Sequence, residues 1–311
     1  MMNADLDIYL LTKARETIHL KYQKVQFPTH QIFINVMQYC NLLYLYKTIN
    51  GKKVKYDEYG INNPDHVLFI HGLGSSSLVW RDFPEALSRR YHTIAIDLIG
   101  FGESDKPEED YTISFLTKSI KDFINEMRFD TNEKISIIGH SLGGYIAIDF
   151  AISNREKVDK LILFDSSGLL KSPTPLLLDY MNAVKVTDPI LRRERITKVL
   201  GNLYSDPTRL LPIIVDFFLY FIEKPGALEA FESAFMNSTS SRIDSNQIKK
   251  IQNIRCLIIW GEKDKLIPVS FAEQFKQLLS AAKIEIIKDA GHAPFVEKPA
   301  IVYQSLMDFL K

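Results

Sequence analysis

Cysteine is scarce in this chain, and a long hydrophobic run is absent. The two cysteines among 311 residues are Cys40 and Cys256. Because they are far apart, they form neither a disulfide framework nor a metal-ligand spacing, so we expect no metal and a reducing, cytoplasmic compartment. No stretch of about 18 uncharged apolar residues occurs, so no transmembrane helix is expected. The N-terminus is acidic and lacks the pattern of a signal peptide, so we expect none.

The chain also lacks an excess of charge of either sign. Lysine plus arginine and aspartate plus glutamate each number 38. Nothing in the overall charge therefore attracts nucleic acid, and no nucleic-acid partner is expected. Hydrophobic residues make up 46% and charged residues 24%, as in ordinary globular proteins. The length allows one large α/β domain with an insertion, or two domains.

Short apolar runs recur along the chain from about residue 48. The Asn50-Gly51 pair between two strand-like segments predicts a β-hairpin. Six further runs predict strands at 66–70, 93–96, 135–138, 161–164, 257–260 and 284–287. Helical patterns lie between several of them. Near-continuous apolar strands are typical of a parallel sheet that is covered on both faces, so the pattern predicts an α/β fold.

The alternation of strands and helices stops between residues 168 and 250. That stretch is helical in pattern, is interrupted by prolines and lies between two predicted strands. We therefore predict a helical cap at 168–250, inserted into a core made of 48–167 and 251–311. Its most apolar part, 210–222, is interpreted as a buried cap helix, with a lipid-contacting lid as the alternative.

Residues 1–47 stand outside this pattern. Two stretches on either side of Pro28, 8–20 and 31–43, have apolar residues at helical spacing. We interpret 1–47 as an N-terminal helical extension that packs on the main body. The alternatives are an amphipathic segment in peripheral contact with a membrane, and a contact between subunits. The oligomeric state is not predicted.

The segment Gly139–Gly143 has the pattern G-x-S-x-G, with Ser141 at its centre. It follows a predicted strand and precedes a predicted helix, which is the setting of a nucleophile elbow. Small residues on both sides of Ser141 allow a strained turn that exposes its hydroxyl. The helix directs its N-terminal amides toward the same place. Ser141 is therefore the candidate nucleophile.

A serine hydroxyl needs a histidine base, and the histidine needs an acid to orient it. His292 is the candidate base, because its loop follows the last predicted strand and active sites lie at the carboxyl ends of parallel strands. His140 adjoins the serine, but its side chain is expected to point away. Asp264 is the preferred acid, and Asp165, one strand earlier, is the competitor. The order Ser141, Asp264, His292 is the one expected for an elbow enzyme.

An oxyanion also needs hydrogen-bond donors. The glycine-rich segment His71–Ser77 follows a predicted strand, and its Leu73 amide is the expected first donor. The Leu142 amide, directly after the nucleophile, is the expected second donor. A phosphate-binding role for this segment is disfavoured, because it lacks the G-x-G-x-x-G spacing and the lysine of a P-loop.

Together these motifs resemble the α/β-hydrolase superfamily over about residues 48–311. The resemblance implies an α/β-hydrolase fold, with an eight-stranded, mostly parallel sheet, helices on both faces and a helical cap. It also implies a catalytic triad of Ser141, Asp264 and His292. The matching segments are His71–Gly74, Asp97–Ser104, Gly139–Gly144, Trp260–Pro268 and Gly291–Phe295.

The same resemblance guides the expected reaction. A serine at the elbow disfavours epoxide hydrolases and haloalkane dehalogenases, which carry an aspartate there. The chain is most similar to carboxylesterases and monoacylglycerol-type lipases, because His71–Ser75 lacks the proline of many carbon–carbon hydrolases and differs from the iminopeptidase loop. We expect a cofactor-free serine hydrolase acting on a small-molecule ester or lipid. The alternatives are a carbon–carbon hydrolase, another lyase or acyltransferase, and a slow-turnover ligand receptor.

Overall fold

The computed structural model describes residues 44–127 and 134–311. The predictions for residues 1–43, which include both helical stretches of the N-terminal extension, lie outside the described residues. The first described strand begins at Leu45, so the sheet starts slightly before the boundary predicted near residue 48. In the described part of the chain, no helix is both long enough and apolar enough to cross a bilayer.

Eight strands form one sheet in the order β1-β2-β4-β3-β5-β6-β7-β8. The hairpin of β1 and β2 is antiparallel, as is the pairing of β2 with β4, and all other neighbours are parallel. The predicted eight-stranded, mostly parallel sheet is confirmed. Its strands are β1 (Leu45–Ile49), β2 (Lys52–Tyr59), β3 (His66–Ile70), β4 (His92–Ile96), β5 (Ile135–His140), β6 (Val158–Phe164), β7 (Arg255–Gly261) and β8 (Lys283–Ile287).

Eleven α-helices occur within residues 44–127 and 134–311, and five of them, α4 to α8, lie between β6 and β7. The helical pattern predicted for 168–250 therefore corresponds to real helices. The helices are α1 (Phe83–Leu87), α2 (Ile113–Met127), α3 (Leu142–Ser153), α4 (Pro175–Val184), α5 (Pro189–Asn202), α6 (Pro212–Ile222), α7 (Ala227–Ser240), α8 (Ser245–Lys249), α9 (Ser270–Leu278), α10 (Pro294–Glu297) and α11 (Pro299–Leu310).

Prolines begin helices in the inserted segment rather than break them. Pro175, Pro189 and Pro212 each occupy the start of a helix. The first helical position has no acceptor for its amide, so a residue without an N–H costs nothing there, and the fixed φ of proline suits the helix. The residues just before two of these helices, Thr174 and Asp188, cap the first turn through their side chains.

The two faces of the sheet carry separate hydrophobic clusters. Along β3, Val67 and Phe69 belong to one cluster, and Leu68 and Ile70 to the other. This alternation follows from the period of two along a strand. Helices α1, α10 and α11 contribute to the cluster of Val67, whereas α2, α3, α9 and inserted helices contribute to the other. Helices therefore cover both faces of the sheet, so a functional site is expected in the loops at the ends of the strands.

Candidate active site

Ser141 forms the sharp turn between β5 and α3. Its φ is +53°, a left-handed conformation that costs a non-glycine residue energy. The flanking glycines serve a different purpose, because neither has a positive φ. A Cβ on Gly139 would collide with the carbonyl of Gly143, and one on Gly143 would collide with that of Ile70. The glycines thus permit close packing, while the serine itself carries the backbone strain.

Asp264 and His292, the predicted acid and base, are in direct contact. The Nδ1–H group of His292 donates to Oδ2 of Asp264 at 2.8 Å, and both side chains are buried. The other carboxylate oxygen accepts the amides of Leu266 and Ile267 at 2.8 and 3.0 Å. The carboxylate is therefore fixed in place. Its bond to Nδ1–H leaves Nε2 of a neutral His292 available to accept a proton.

His140 joins the elbow to the loop that carries His292. Its Nε2–H group donates to the His292 carbonyl at 2.8 Å, and the two rings lie 4.8 Å apart. Burial, with a smaller contribution from His292, holds the pKa of His140 well below its ordinary value. His140 is therefore neutral. Because it directly precedes Ser141, this bond holds the predicted nucleophile and base at the same edge of the sheet.

Asp165, the competing acid, also lies beside His292. One ligand atom from each of Asp165, Asp264 and His292 falls within 4.8 Å of the others, a grouping that a metal ion could use. However, Nδ1 of His292 and Oδ2 of Asp264 are 2.8 Å apart, whereas two ligands of a tetrahedral zinc are about 3.4 Å apart. A hydrogen bond fits that separation. The geometry favours an acid–base pair over a metal centre, and of the two acids it joins Asp264 to His292.

The predicted oxyanion donors lie on two segments that touch. A Cβ placed on Gly72 would lie 3.1 Å from Cβ of Ser141, so the loop after β3 packs directly against the elbow. The Leu73 amide donates no hydrogen bond within the described residues. Leu142 is the first residue of α3, so its amide has no acceptor inside the helix. Both amides are thus available to an oxygen bound between them, although their role remains a prediction.

His71 fixes the shape of this loop. Its Nδ1 lies 2.8 Å from the carbonyl oxygen of Gly72, to which it donates, and its Nε2 accepts the Leu98 amide at 3.0 Å. The ring is fully buried, and burial lowers its pKa. Because one ring nitrogen donates and the other accepts, the neutral imidazole satisfies both bonds.

The inserted helices contact the same glycine-rich loop. A Cβ on Gly74 would lie 2.8 Å from a ring carbon of Phe231, 2.8 Å from the Tyr180 hydroxyl and 3.0 Å from a ring carbon of Phe218. These side chains come from three different inserted helices and are buried against one another. Burial also raises the pKa of Tyr180. The loop that carries the predicted Leu73 donor is therefore covered by uncharged aromatic groups.

The inserted segment also holds the loop of the predicted base. The His292 amide donates to the Leu203 carbonyl at 2.7 Å. The carboxylate of Glu297 accepts the amides of Gly291 at 2.5 Å and Ser205 at 3.0 Å, and the Ser205 hydroxyl at 2.5 Å. Sequence reasoning missed Glu297. The available signal was a lone carboxylate directly after the apolar stretch Ala293–Val296, which ends up buried.

Comparisons with known proteins agree with this architecture. A family model described as the alpha/beta hydrolase fold matches residues 65–299. An uncharacterized protein of Mycobacterium tuberculosis is 30% identical over 258 residues, or 75% of this chain and 72% of the relative. The 2-hydroxy-6-oxo-6-(2'-aminophenyl)hexa-2,4-dienoic acid hydrolase of Metapseudomonas resinovorans is 27% identical, covering 84% and 88% of the two chains. Lipase 1 of Psychrobacter immobilis is 28% identical, covering 80% and 77%.

Solved structures show the same fold. A serine hydrolase involved in carbazole degradation has a TM-score of 0.73 and 27% identity, covering 86% of this chain and 98% of that one. A bacterial membrane phospholipase A has a TM-score of 0.73 and 23% identity, covering 100% and 98% of the two chains. The match over residues 65–299 and the strand order show that the chain belongs to the family of α/β-hydrolase-fold enzymes.

Proposed function

We propose that the protein is a serine hydrolase that cleaves carboxylic esters through an acyl-enzyme on Ser141. The observation that carries this proposal is a serine at a strained elbow, joined through His140 to a buried pair of His292 and Asp264. This arrangement supplies a nucleophile, a base and an orienting acid. It needs no metal or organic cofactor.

In the proposed reaction, Nε2 of His292 takes the hydroxyl proton of Ser141 as its oxygen attacks the ester carbonyl. The amides of Leu73 and Leu142 stabilise the resulting oxyanion. The carbon–oxygen bond to the alcohol breaks, and His292 donates the proton to the departing alcohol. Water then attacks the acyl-enzyme and gives one proton to His292. The bond between the acyl group and Ser141 breaks, His292 returns the proton to the serine oxygen, and the acid leaves. Asp264 stabilises the imidazolium in both half-reactions.

We assign residues 168–250 to a cap, and we propose a substrate with a hydrophobic acyl chain, such as a lipid or a small apolar ester. Phe218 and Phe231 of the inserted helices support this proposal, because they place apolar ring carbons against Gly74 beside the proposed oxyanion donor, where Tyr180 contributes its hydroxyl. Burial of each additional methylene of a substrate contributes about 0.8 kcal/mol. The inserted helices thus offer a physical basis for selecting longer acyl chains.

A second candidate reaction is hydrolysis of a carbon–carbon bond. It is favoured by the relative from Metapseudomonas resinovorans, whose name gives a hexadienoic acid as its substrate. Such an acid carries a carboxylate, which a binding site must pair with a cation or with hydrogen-bond donors. None of the side chains that meet Gly74 is a cation, and the only hydrogen-bond donor among them is the Tyr180 hydroxyl. This difference in chemistry makes ester cleavage the preferred proposal.

A series of p-nitrophenyl esters with acyl chains of increasing length tests the substrate class. We expect kcat/KM to rise by up to about fourfold per methylene until the pocket is filled, since about 0.8 kcal/mol per methylene corresponds to that factor. The rates are compared with cleavage of a 2-hydroxy-6-oxohexa-2,4-dienoate under the same conditions. A dienoate that is cleaved with a higher kcat/KM than every ester would replace this proposal by the carbon–carbon one.

We also propose peripheral membrane contact, through residues 1–47 or through the inserted helices. The helical spacing of apolar residues at 8–20 and 31–43 supports the first route. Large exposed apolar side chains on and between the inserted helices support the second, and they are Leu178, Ile190, Leu191, Leu211 and Met236. A lipid substrate would be reached most directly from a membrane surface.

Co-sedimentation with anionic lipid vesicles tests this proposal. The full chain is compared with a chain that begins at Tyr44, which keeps strand β1 complete. We expect the full chain to bind more strongly, because an amphipathic segment adds apolar area buried in the lipid interface. Equally strong binding of both chains would assign the contact to the inserted helices. Equally weak binding of both would refute membrane contact.

A further inference from the structure

Two buried carboxyl groups lie side by side next to His292, and the mechanism uses only one of them. Asp264 has hydrogen bonds to both oxygens, from two amides and from His292. Asp165 is 0% exposed, and its Oδ1 accepts the Gly261 amide at 2.8 Å. Its Oδ2 is fully buried and has no partner among the described residues. A buried polar atom without a partner requires an explanation.

The position of this second carboxyl is imposed by the fold. Asp165 directly follows β6, where its amide donates to the Ile259 carbonyl at 3.1 Å. Its φ is +43°, so the chain holds it in a sparsely populated conformation. One carboxylate oxygen of each aspartate lies within 4.8 Å of the other. The side chain of Asp165 is therefore held against Asp264 rather than free to turn away.

Two ionised carboxylates cannot share such a site without a large electrostatic cost, so one of them must hold a proton. Asp264 accepts three hydrogen bonds, each of which stabilises its negative charge, whereas Asp165 accepts one. The charge therefore belongs on Asp264. Consistently, burial first and then the charge of Asp264 raise the pKa of Asp165 well above its ordinary value, and Glu297 adds to the same effect.

We infer that Asp165 is a neutral carboxylic acid whose Oδ2–H group donates a hydrogen bond to the carboxylate of Asp264. The proton gives Oδ2 the partner it otherwise lacks and adds a fourth donor to the acid. It also keeps the charge beside His292 at one unit. A second negative charge would stabilise the imidazolium further, so that His292 would more often already hold a proton and could not take the one from Ser141. Asp165 is thus a positioning residue for the acid, not a competing acid.

Two substitutions at one position test this role, and this arm of the test rests on the proposed ester cleavage. Asp165→Ala removes the donor, and we expect kcat to fall about tenfold with KM within about twofold, which is the effect of one lost hydrogen bond to a charged group. Asp165→Asn has the same shape, is neutral and keeps a donor, so it should restore kcat to within about threefold of wild type.

The pH profile of kcat/KM separates a neutral from an ionised Asp165. If Asp165 is neutral, Asp165→Asn leaves the acid limb of the profile in place, because no charge is removed. If it is ionised, the substitution removes a negative charge beside His292, and the acid limb moves to lower pH by about one unit or more. Such a shift, or a failure of Asp165→Asn to restore kcat, would overturn the inference.

Infrared difference spectroscopy tests the proton without any turnover. At pH 7 the wild-type protein should show the carbonyl stretch of a protonated carboxylic acid, and Asp165→Asn should lack it. Asp159→Asn is a matched control, because Asp159 lies on β6, the strand that Asp165 follows, but is exposed, and its spectrum should keep the band. Persistence of the band in Asp165→Asn would refute the inference, whereas failure of the proposed function would appear as absent ester turnover with the band intact.

Discussion

Replacement of Ser141 by alanine is expected to lower kcat/KM for the best ester by about 10⁴ to 10⁶. The substitution removes the only atom that forms the proposed acyl bond, so the residual rate comes from binding and oxyanion stabilisation alone. The fold should tolerate the change. Alanine meets the same cost as serine at a φ of +53°, and the lost oxygen comes from a side chain at the end of β5. Steady-state kinetics and thermal unfolding measure the two effects.

Ser167→Ala provides the matched control. Ser167 is also a buried serine, and its hydroxyl donates to the Ser141 carbonyl at 3.1 Å, so it lies beside the elbow without being its nucleophile. A fluorophosphonate probe should label the wild type and Ser167→Ala but not Ser141→Ala. Equal labelling of Ser141→Ala and the wild type, or unchanged esterase activity, would contradict the role assigned to Ser141.

The sheet was predictable from sequence because each strand is identified by residues that are adjacent in the chain. Every residue of β3 and β5 is buried, so each strand appears as a nearly continuous apolar run with turn residues at its ends. The hairpin follows from the Asn50-Gly51 pair, in which both residues adopt a positive φ. The observed strand ends differ from the predicted ones by a few residues, because residues near strand ends are partly exposed and carry a weaker hydrophobic signal. For example, β6 begins at Val158 rather than near residue 161.

The support of the site was not predictable, because it depends on contacts between distant residues. His140 reaches the His292 carbonyl across 152 positions of sequence, and Glu297 reaches Ser205 across 92. The sequence around His140 or Glu297 gives no sign of which distant residue each one contacts. Asp264 was preferred, but Asp165 stayed a competitor for the same reason, since both follow strands that lie next to each other in the sheet. The two acids differ only in the direction of their carboxyl groups: that of Asp264 points to His292, and that of Asp165 points to the Gly261 amide.

That distinction leads to the second large expected effect, a fall of about 10⁴ in kcat for Asp264→Asn. The asparagine oxygen can still accept the Leu266 and Ile267 amides, so the loop should keep its shape. Its amide group, however, donates a hydrogen where the carboxylate accepted one. Nδ1 of His292 must then become the acceptor, and the proton moves to Nε2, which can no longer take the hydroxyl proton of Ser141.

The kinetics of Asp264→Asn also decide between the two acids. Asp165 bonds the Gly261 amide rather than the imidazole, so it is not aligned to replace the lost carboxylate, and the rate should stay low even where Asp165 ionises. Comparable kcat in Asp264→Asn and the wild type would instead assign the acid to Asp165. Thermal unfolding should show little loss of stability, because asparagine keeps the shape of the side chain and the bonds from the Leu266 and Ile267 amides, and a neutral amide costs less to bury than a carboxylate.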